Sequence, residues 1–232
     1  MGKGVIIACD FPNKQETLIF LEKFGQEKLF LKVGMELFYS EGNEIIKELK
    51  KMGHKIFLDL KLHDIPNTVN KSMVALSKLN IDMCNVHASG TIKMMEAAKE
   101  GLIKEDGSKP LLIAVTQLTS TSEYRMKSEL LINKPIDEVV LHYAINTKNA
   151  GLDGVVCSPL EVKKIKEVCG KNFITVTPGI RFENGEIGDQ IRITTPKKAK
   201  ELGSDYIVVG RPITKAENPV EAYMRCVKEF VD

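Results

Sequence analysis

A chain of 232 residues with 43% apolar content can bury a substantial core, which excludes intrinsic disorder. Its 33 basic and 31 acidic residues are scattered and leave a formal charge of only +2, so no global electrostatic case for nucleic acid exists and any anion site must be local. No run approaches the ~18 apolar residues of a membrane span, and the opening Val5-Ile6-Ile7 turns polar by Asp10, too early for a secretory segment.

In chain order, short apolar runs alternate with longer amphipathic stretches. The runs are Val5 to Cys9, Lys28 to Val33, Ile56 to Leu60, Met83 to His87, Leu111 to Thr116, Gly154 to Cys157, Phe173 to Thr177 and Tyr206 to Gly210. Between them lie segments with helical spacing, such as Gly42 to Met52 with Ile45, Ile46 and Leu49, and Thr68 to Leu79 with Val69, Met73, Leu76 and Leu79. Eight strand-helix units predict an α/β fold, a single-domain (β/α)8 TIM barrel over residues 1–232. A doubly wound open sheet would carry a glycine-rich fingerprint after its first strand, whereas here that strand runs into Cys9-Asp10-Phe11-Pro12. Five cysteines (Cys9, Cys84, Cys157, Cys169, Cys226) are odd in number and never form a Cys-x-x-Cys pair. They read as reduced thiols of a cytoplasmic protein.

Active sites of barrels gather at the C-terminal ends of the strands, and there the polar residues of this chain converge. Asp10 follows the first run, Lys32 lies at the end of the second, Asp59 and Lys61 of the third, His87 of the fourth, and Thr119 follows the fifth. The third is the densest. On a strand of period two, Asp59 and Lys61 leave one face while Leu58, Leu60 and Leu62 leave the other. Pro66 ends the ladder and Thr68 is placed to cap the next helix, which leaves Asp64 on a short loop beside the pair. An ammonium flanked by carboxylates is a proton donor rather than a Schiff-base nucleophile, and Lys61 is read in that role.

Gly210-Arg211-Pro212 joins the last strand to a helix start, and Gly179 and Arg181 follow the strand before it. Glycine admits a phosphate to backbone N–H groups and arginine adds a forked cation, so these two turns predict a phosphate site. Residues 179 to 193, with Gln190, form a connection long enough for a lid. His63 and His87 read as hydrogen-bonded structural residues, His54 and His142 as surface residues, and no metal site is expected because no second ligand falls at metal-site spacing.

Together these segments resemble the orotidine 5'-phosphate decarboxylase family over nearly the whole chain. The resemblance rests on Asp10, Leu31-Lys32-Val33-Gly34, the Asp59 to Thr68 segment, Asn85-Val86-His87-Ala88, Val115 to Ser120, Thr177-Pro178-Gly179-Ile180-Arg181, Gln190, and Val208-Val209-Gly210-Arg211-Pro212-Ile213. It implies conversion of orotidine 5'-phosphate to UMP and CO2 in de novo pyrimidine biosynthesis, without metal or cofactor. The catalytic charge network would be Lys32, Asp59, Lys61 and Asp64, with Lys61 giving the proton that replaces the carboxylate. Asp10 and Lys32 would hold the ribose, Thr119 the pyrimidine edge, and Gln190, Gly210, Arg211 and Arg181 the phosphate. Asp64, Ile65 and Thr68 would reach a partner subunit's site, which implies a homodimer. One departure stands out: relatives usually carry a second glycine after Gly90, where this chain has Thr91. The alternative is a magnesium-dependent sugar-phosphate decarboxylase or aldolase of the same superfamily. Those enzymes place a glutamate ligand on strand two, where this chain has Lys32.

Overall fold

Strands buried on both faces read as nearly continuous apolar runs, and in this chain eight of them lie side by side in parallel. The structure, a computed structural model, describes residues 3–103, 107–183 and 193–232. Its first half runs β1 (Gly4–Ala8), α1 (Lys14–Glu22), β2 (Phe30–Gly34), α2 (Met35–Glu41), α3 (Asn43–Lys51), β3 (Lys55–Leu62), α4 (Pro66–Ser77), β4 (Met83–His87) and α5 (Thr91–Leu102). There follow β5 (Leu111–Val115), α6 (Glu123–Ser128), α7 (Ile136–Asn149), β6 (Gly154–Val156), α8 (Val162–Cys169), β7 (Ile174–Thr177), α9 (Pro196–Leu202), β8 (Tyr206–Val209), α10 (Arg211–Thr214) and α11 (Pro219–Phe230). Each strand pairs with the next and β8 pairs with β1, which closes the (β/α)8 barrel expected from the spacing of the runs.

Most strand ends fall within one or two residues of the expected ones. Thr68 is a correction: Pro66, with its backbone preset for the first helical turn, starts α4 earlier, Ile65 becomes the N-cap, and Thr68 lies exposed inside the first turn. His54 is another. It is only 5% exposed, and its Nδ1 accepts the Leu29 N–H at 3.2 Å, a bond that requires the neutral ring. Burial, then the charge of Lys28, lowers its pKa accordingly.

Alternation along the strands divides the interior in two. Ile6, Ala8, Phe57, Met83, Ile113, Ile174, Val176 and Val208 point into the barrel and pack on one another. Their neighbours, among them Ile7, Leu31, Leu58, Val86, Leu112 and Ile207, point outward and meet the helices in a larger core.

The N-terminal end of the barrel is stapled by ion pairs at alternate strands. Asp82, just before β4, accepts the Ile56 N–H of β3 at 2.8 Å and pairs with Lys50 at 2.7 Å. Asp153, just before β6, takes the Leu112 N–H of β5 at 2.8 Å and Lys109 at 3.1 Å. Asp205, just before β8, takes the Thr175 N–H of β7 at 2.7 Å and Lys166 at 2.6 Å. Each carboxylate satisfies a strand-end donor that lacks a ladder partner, so this end serves the fold.

Between β4 and α5 the chain passes through a 3-10 turn, Ala88–Gly90, and enters α5 at Thr91 with φ 78° and ψ 162°. That region is nearly glycine-only, and a β-branched residue there carries ~1–3 kcal/mol of strain. The turn is therefore kept at a local cost. Thr91→Gly is expected to raise stability by about 1 kcal/mol, after allowing for the extra chain entropy of glycine, as read from the urea midpoint. A lower midpoint would show that the threonine side chain more than offsets its strained backbone.

Candidate active site

The inward-facing columns of the barrel begin apolar and end polar. On β2 the column runs from Phe30 to Lys32, on β3 from Phe57 to Asp59 to Lys61, and on β4 from Met83 to Asn85 to His87. A cavity of about 650 Å³ opens at this polar end, a size suited to a nucleotide-sized ligand. Its wall contains Asp10, Lys32, Asp59, Lys61, Thr119, Arg181, Gly210 and Arg211. Eight of the twelve residues singled out in the sequence are thereby brought together from six different strand ends.

At the bottom of the cavity positive and negative groups alternate. Lys32 Nζ stands 2.8 Å from Asp10 Oδ1 and 3.5 Å from Asp59 Oδ2, and Lys61 Nζ stands 2.9 Å from Asp59 Oδ1. Asp59 is thus shared by two ammonium groups. Burial works to raise its pKa, but Lys32, then Lys61, and the hydrogen bonds from Lys61 and Asn85 outweigh burial and hold the carboxyl below the usual range. For Lys32 burial works to lower the pKa, and the carboxylates of Asp59 and Asp10 overcome it. Gly34 makes room for this cluster, since a Cβ there would stand 3.0 Å from Lys32 Nζ and 3.2 Å from Asp10 Oδ1.

Gly179, Arg181, Gly210 and Arg211, which follow β7 and β8, also line the cavity. Gly179 has φ 80°, a conformation that suits glycine. The stem of the long connection closes on itself, with the Arg181 N–H bonded to Thr194 O at 2.9 Å and the Thr194 N–H to Gly179 O at 3.0 Å. Residues 184–192 of the expected lid, Gln190 included, lie outside the described residues.

Three expected site residues lie apart. Asp64, Ile65 and Thr68 are exposed outside the cavity, because the chain turns outward at His63 before Pro66 starts α4. Asp64 Oδ1 accepts the Ile65 N–H at 2.6 Å, and among the described residues the carboxylate forms no ion pair. Among the described residues of its own chain Lys61 therefore pairs with one carboxylate, not two. The rings of His63 and His87 pack at a tilt of 39° with centroids 5.7 Å apart, and among the described residues neither ring makes one of the expected hydrogen bonds.

Sequence reasoning passed over two groups. Lys215 lines the cavity one helical turn beyond Arg211, a spacing that was readable. Asn85, 1% exposed, donates from Nδ2 to Asp59 Oδ1 at 2.7 Å, and its Oδ1 accepts the Lys61 N–H at 2.8 Å. Its signals were an inward polar residue on an apolar strand and its place in the Asn85-Val86-His87-Ala88 segment. Chemically, the cavity can hold an anion against its arginines and present a lysine ammonium to electron density.

Along nearly its whole length the chain is similar to known proteins. The family model described as "Orotidine 5'-phosphate decarboxylase / HUMPS family" matches residues 3–226. A Bacillus cytotoxicus protein named orotidine 5'-phosphate decarboxylase is 62% identical over 233 residues, covering 99% of this chain and 98% of the relative. A Bacillus cereus protein of the same name is 62% identical over 226 residues, covering 96% and 95%. Among solved structures, orotidine 5'-phosphate decarboxylase from Lactobacillus acidophilus superposes with a TM-score of 0.89 at 48% identity, covering 99% of this chain and 100% of that one. An uncharacterized conserved protein from Geobacillus kaustophilus gives 0.87 at 49% identity, covering 97% and 99%.

The pKa of Asp59 has a consequence for stability. Because its folded value lies below the ordinary 3.8, the stability it lends is complete above that pH and is lost as pH falls through the lower folded value. Lys32→Met removes the stronger of the two charges that hold it down. The side-chain carboxyl of Asp59, followed by carbon NMR, is expected to titrate below 3.8 in the wild type and at a higher pH in Lys32→Met, with acid unfolding moving the same way. A carboxyl titration that ignores the substitution would break the link between the two groups.

Proposed function

The chain belongs to the orotidine 5'-phosphate decarboxylase / HUMPS family, and from that premise we propose that it converts orotidine 5'-phosphate to UMP and CO2 in pyrimidine biosynthesis. The observation that carries the proposal is the Lys61 ammonium, 2.9 Å from a buried carboxylate at the bottom of a nucleotide-sized cavity. Loss of CO2 leaves an electron pair on a ring carbon of the pyrimidine. A fixed ammonium stabilises that pair as it forms and then delivers the proton that takes the place of the carboxylate.

Lys32, Asp59 and Lys61 form the charge network of this reading, with Asp64 supplied by a second subunit. Asp10 and Lys32 hold the ribose hydroxyls and Thr119 the pyrimidine edge, while Arg181, Gln190, Gly210 and Arg211 take the phosphate. Arg181 and Arg211, which line the cavity at the ends of β7 and β8, support the last assignment. Binding energy from the phosphate is then available to hold the ring against Lys61. Metal and cofactor independence is supported by the ion pairing itself, since the cavity carboxylates Asp10 and Asp59 already face lysine ammoniums. The enzyme acts as a homodimer in the cytoplasm. Exposure of Asp64, Thr68 and Ile65, the last 66% exposed, supports their contribution across the interface, and five free, buried cysteines suit a reducing compartment.

The direct assay follows the orotate absorbance of orotidine 5'-phosphate with the protein in EDTA. Turnover is expected undiminished by the chelator, and activity that returns only with magnesium would favour the sugar-phosphate branch of the superfamily. Lys61→Ala is expected to lower kcat by on the order of 10⁴-fold while UMP affinity stays within roughly threefold. Equal losses in both would remove the proton-donor role. Mixing Lys61→Ala with Asp64→Asn chains is expected to recover about a quarter of wild-type activity, since half the dimers are mixed and each has one intact site of two. No recovery despite confirmed subunit exchange would return Asp64 to its own chain's site.

A further inference from the structure

We infer that Asn85 is a positioning residue of this site, whose buried carboxamide grips Asp59 and the backbone of Lys61 at once and so fixes where the ammonium stands. The inference rests on the decarboxylase reading above and adds a residue to it. The ladder between β3 and β4 is irregular here: Leu58 pairs with Cys84 and Leu62 with Val86, so β3 advances four residues while β4 advances two. Asn85 is the single β4 residue opposite this bulge. Inside it Lys61 adopts φ 53°, the left-handed region that non-glycine residues rarely enter.

A bulge of this kind removes the Lys61 N–H from the ladder, and a buried N–H without a partner is costly. Asn85 Oδ1 takes that N–H at 2.8 Å. The other half of the same amide, Nδ2, donates to Asp59 Oδ1 at 2.7 Å, the oxygen that also receives Lys61 Nζ at 2.9 Å. The orientation of the amide is therefore settled by its partners, because its oxygen must face an N–H and its nitrogen a carboxylate. Two consequences follow for Lys61. Its main chain is pinned in a conformation it would otherwise leave, and the carboxylate that aims its side chain is kept from turning wholly toward Lys32. Catalysis by a fixed charge is sensitive to displacements of about 1 Å, which can cost on the order of 100-fold, so a residue that touches no substrate can still govern turnover.

Asn85→Ala removes both bonds, and Asn85→Asp keeps the shape and the acceptor while setting a second carboxylate against Asp59. Such a pair shares a proton, and the protonated form donates to Asp59 as the amide does. With orotidine 5'-phosphate as substrate, Asn85→Ala is expected to lower kcat about 100-fold at every pH, with KM and UMP affinity within roughly threefold of wild type. Asn85→Asp is expected to approach wild-type kcat at low pH and to lose it as pH rises through the shared titration, a limb absent from the wild type. Wild-type-like kcat in Asn85→Ala, a loss carried by KM alone, or an Asn85→Asp profile parallel to that of the wild type would each overturn the inference. Should Asn85→Ala fail to fold, the isosteric Asn85→Asp profile decides alone. Wild-type protein assayed in parallel separates the two readings: an inactive wild type removes the decarboxylase proposal and this inference with it, and an active one confines any failure to Asn85.

Discussion

A single carboxylate shared between two ammonium groups organises this protein's cavity. Asp59 lies between Lys32 and Lys61 at 3.5 and 2.9 Å, and none of the three is well solvated. Isolated, any one of these charges would be expensive at this depth. In sequence along β2 and β3 they neutralise one another, so the barrel can keep ions where most of its inward positions are apolar. The same arrangement leaves Lys61 Nζ with one strong partner and an open side toward the cavity. A group tied down on one side and available on the other is what electrostatic stabilisation of a developing charge requires, because no reorganisation is then needed when the charge appears.

The two ends of the barrel divide the work. At the N-terminal end, Asp82, Asp153 and Asp205 each cap the strand before their own and bind a lysine, and none of the three lines the cavity described above. At the C-terminal end, acidic and basic residues of the same types line open space. What distinguishes them is the backbone: each base carboxylate takes a strand N–H as well as a lysine, whereas among the described residues Asp10 and Asp59 at the mouth meet side-chain donors. The bulge in β3 marks the boundary. A regular ladder would carry Lys61 along in an extended conformation, and the left-handed turn at that residue moves it out of register instead.

Family membership and the decarboxylase reading meet at particular residues. Lys32, at the cavity end of β2, is engaged by Asp10 and Asp59 together. The exposed lip of Asp64, Ile65 and Thr68 gives an account of why a motif that looks like one unit along the chain splits in space. Half of the motif faces its own cavity and half faces outward, which is the arrangement the proposed homodimer requires. Thr91 shows the tolerance of the scaffold: the turn after β4 persists with a β-branched residue in a backbone region suited to glycine, next to a segment that carries His87 and Asn85.

By itself the sequence determined the eight strand-helix units, the closed barrel they imply, and the cluster of polar residues at strand ends, because hydrophobic period and strand-end chemistry are local properties. Period two was enough to put Asp59 and Lys61 on one face. Tertiary structure alone decided that Asp64 lies apart from Lys61 within its own chain, that Thr68 is not a cap, that His54 is buried, and that Asn85 joins Asp59 to the Lys61 backbone. Each of these turns on contacts between elements, or on a bulge that breaks the period, and neither leaves a signature in the spacing of residues along one strand.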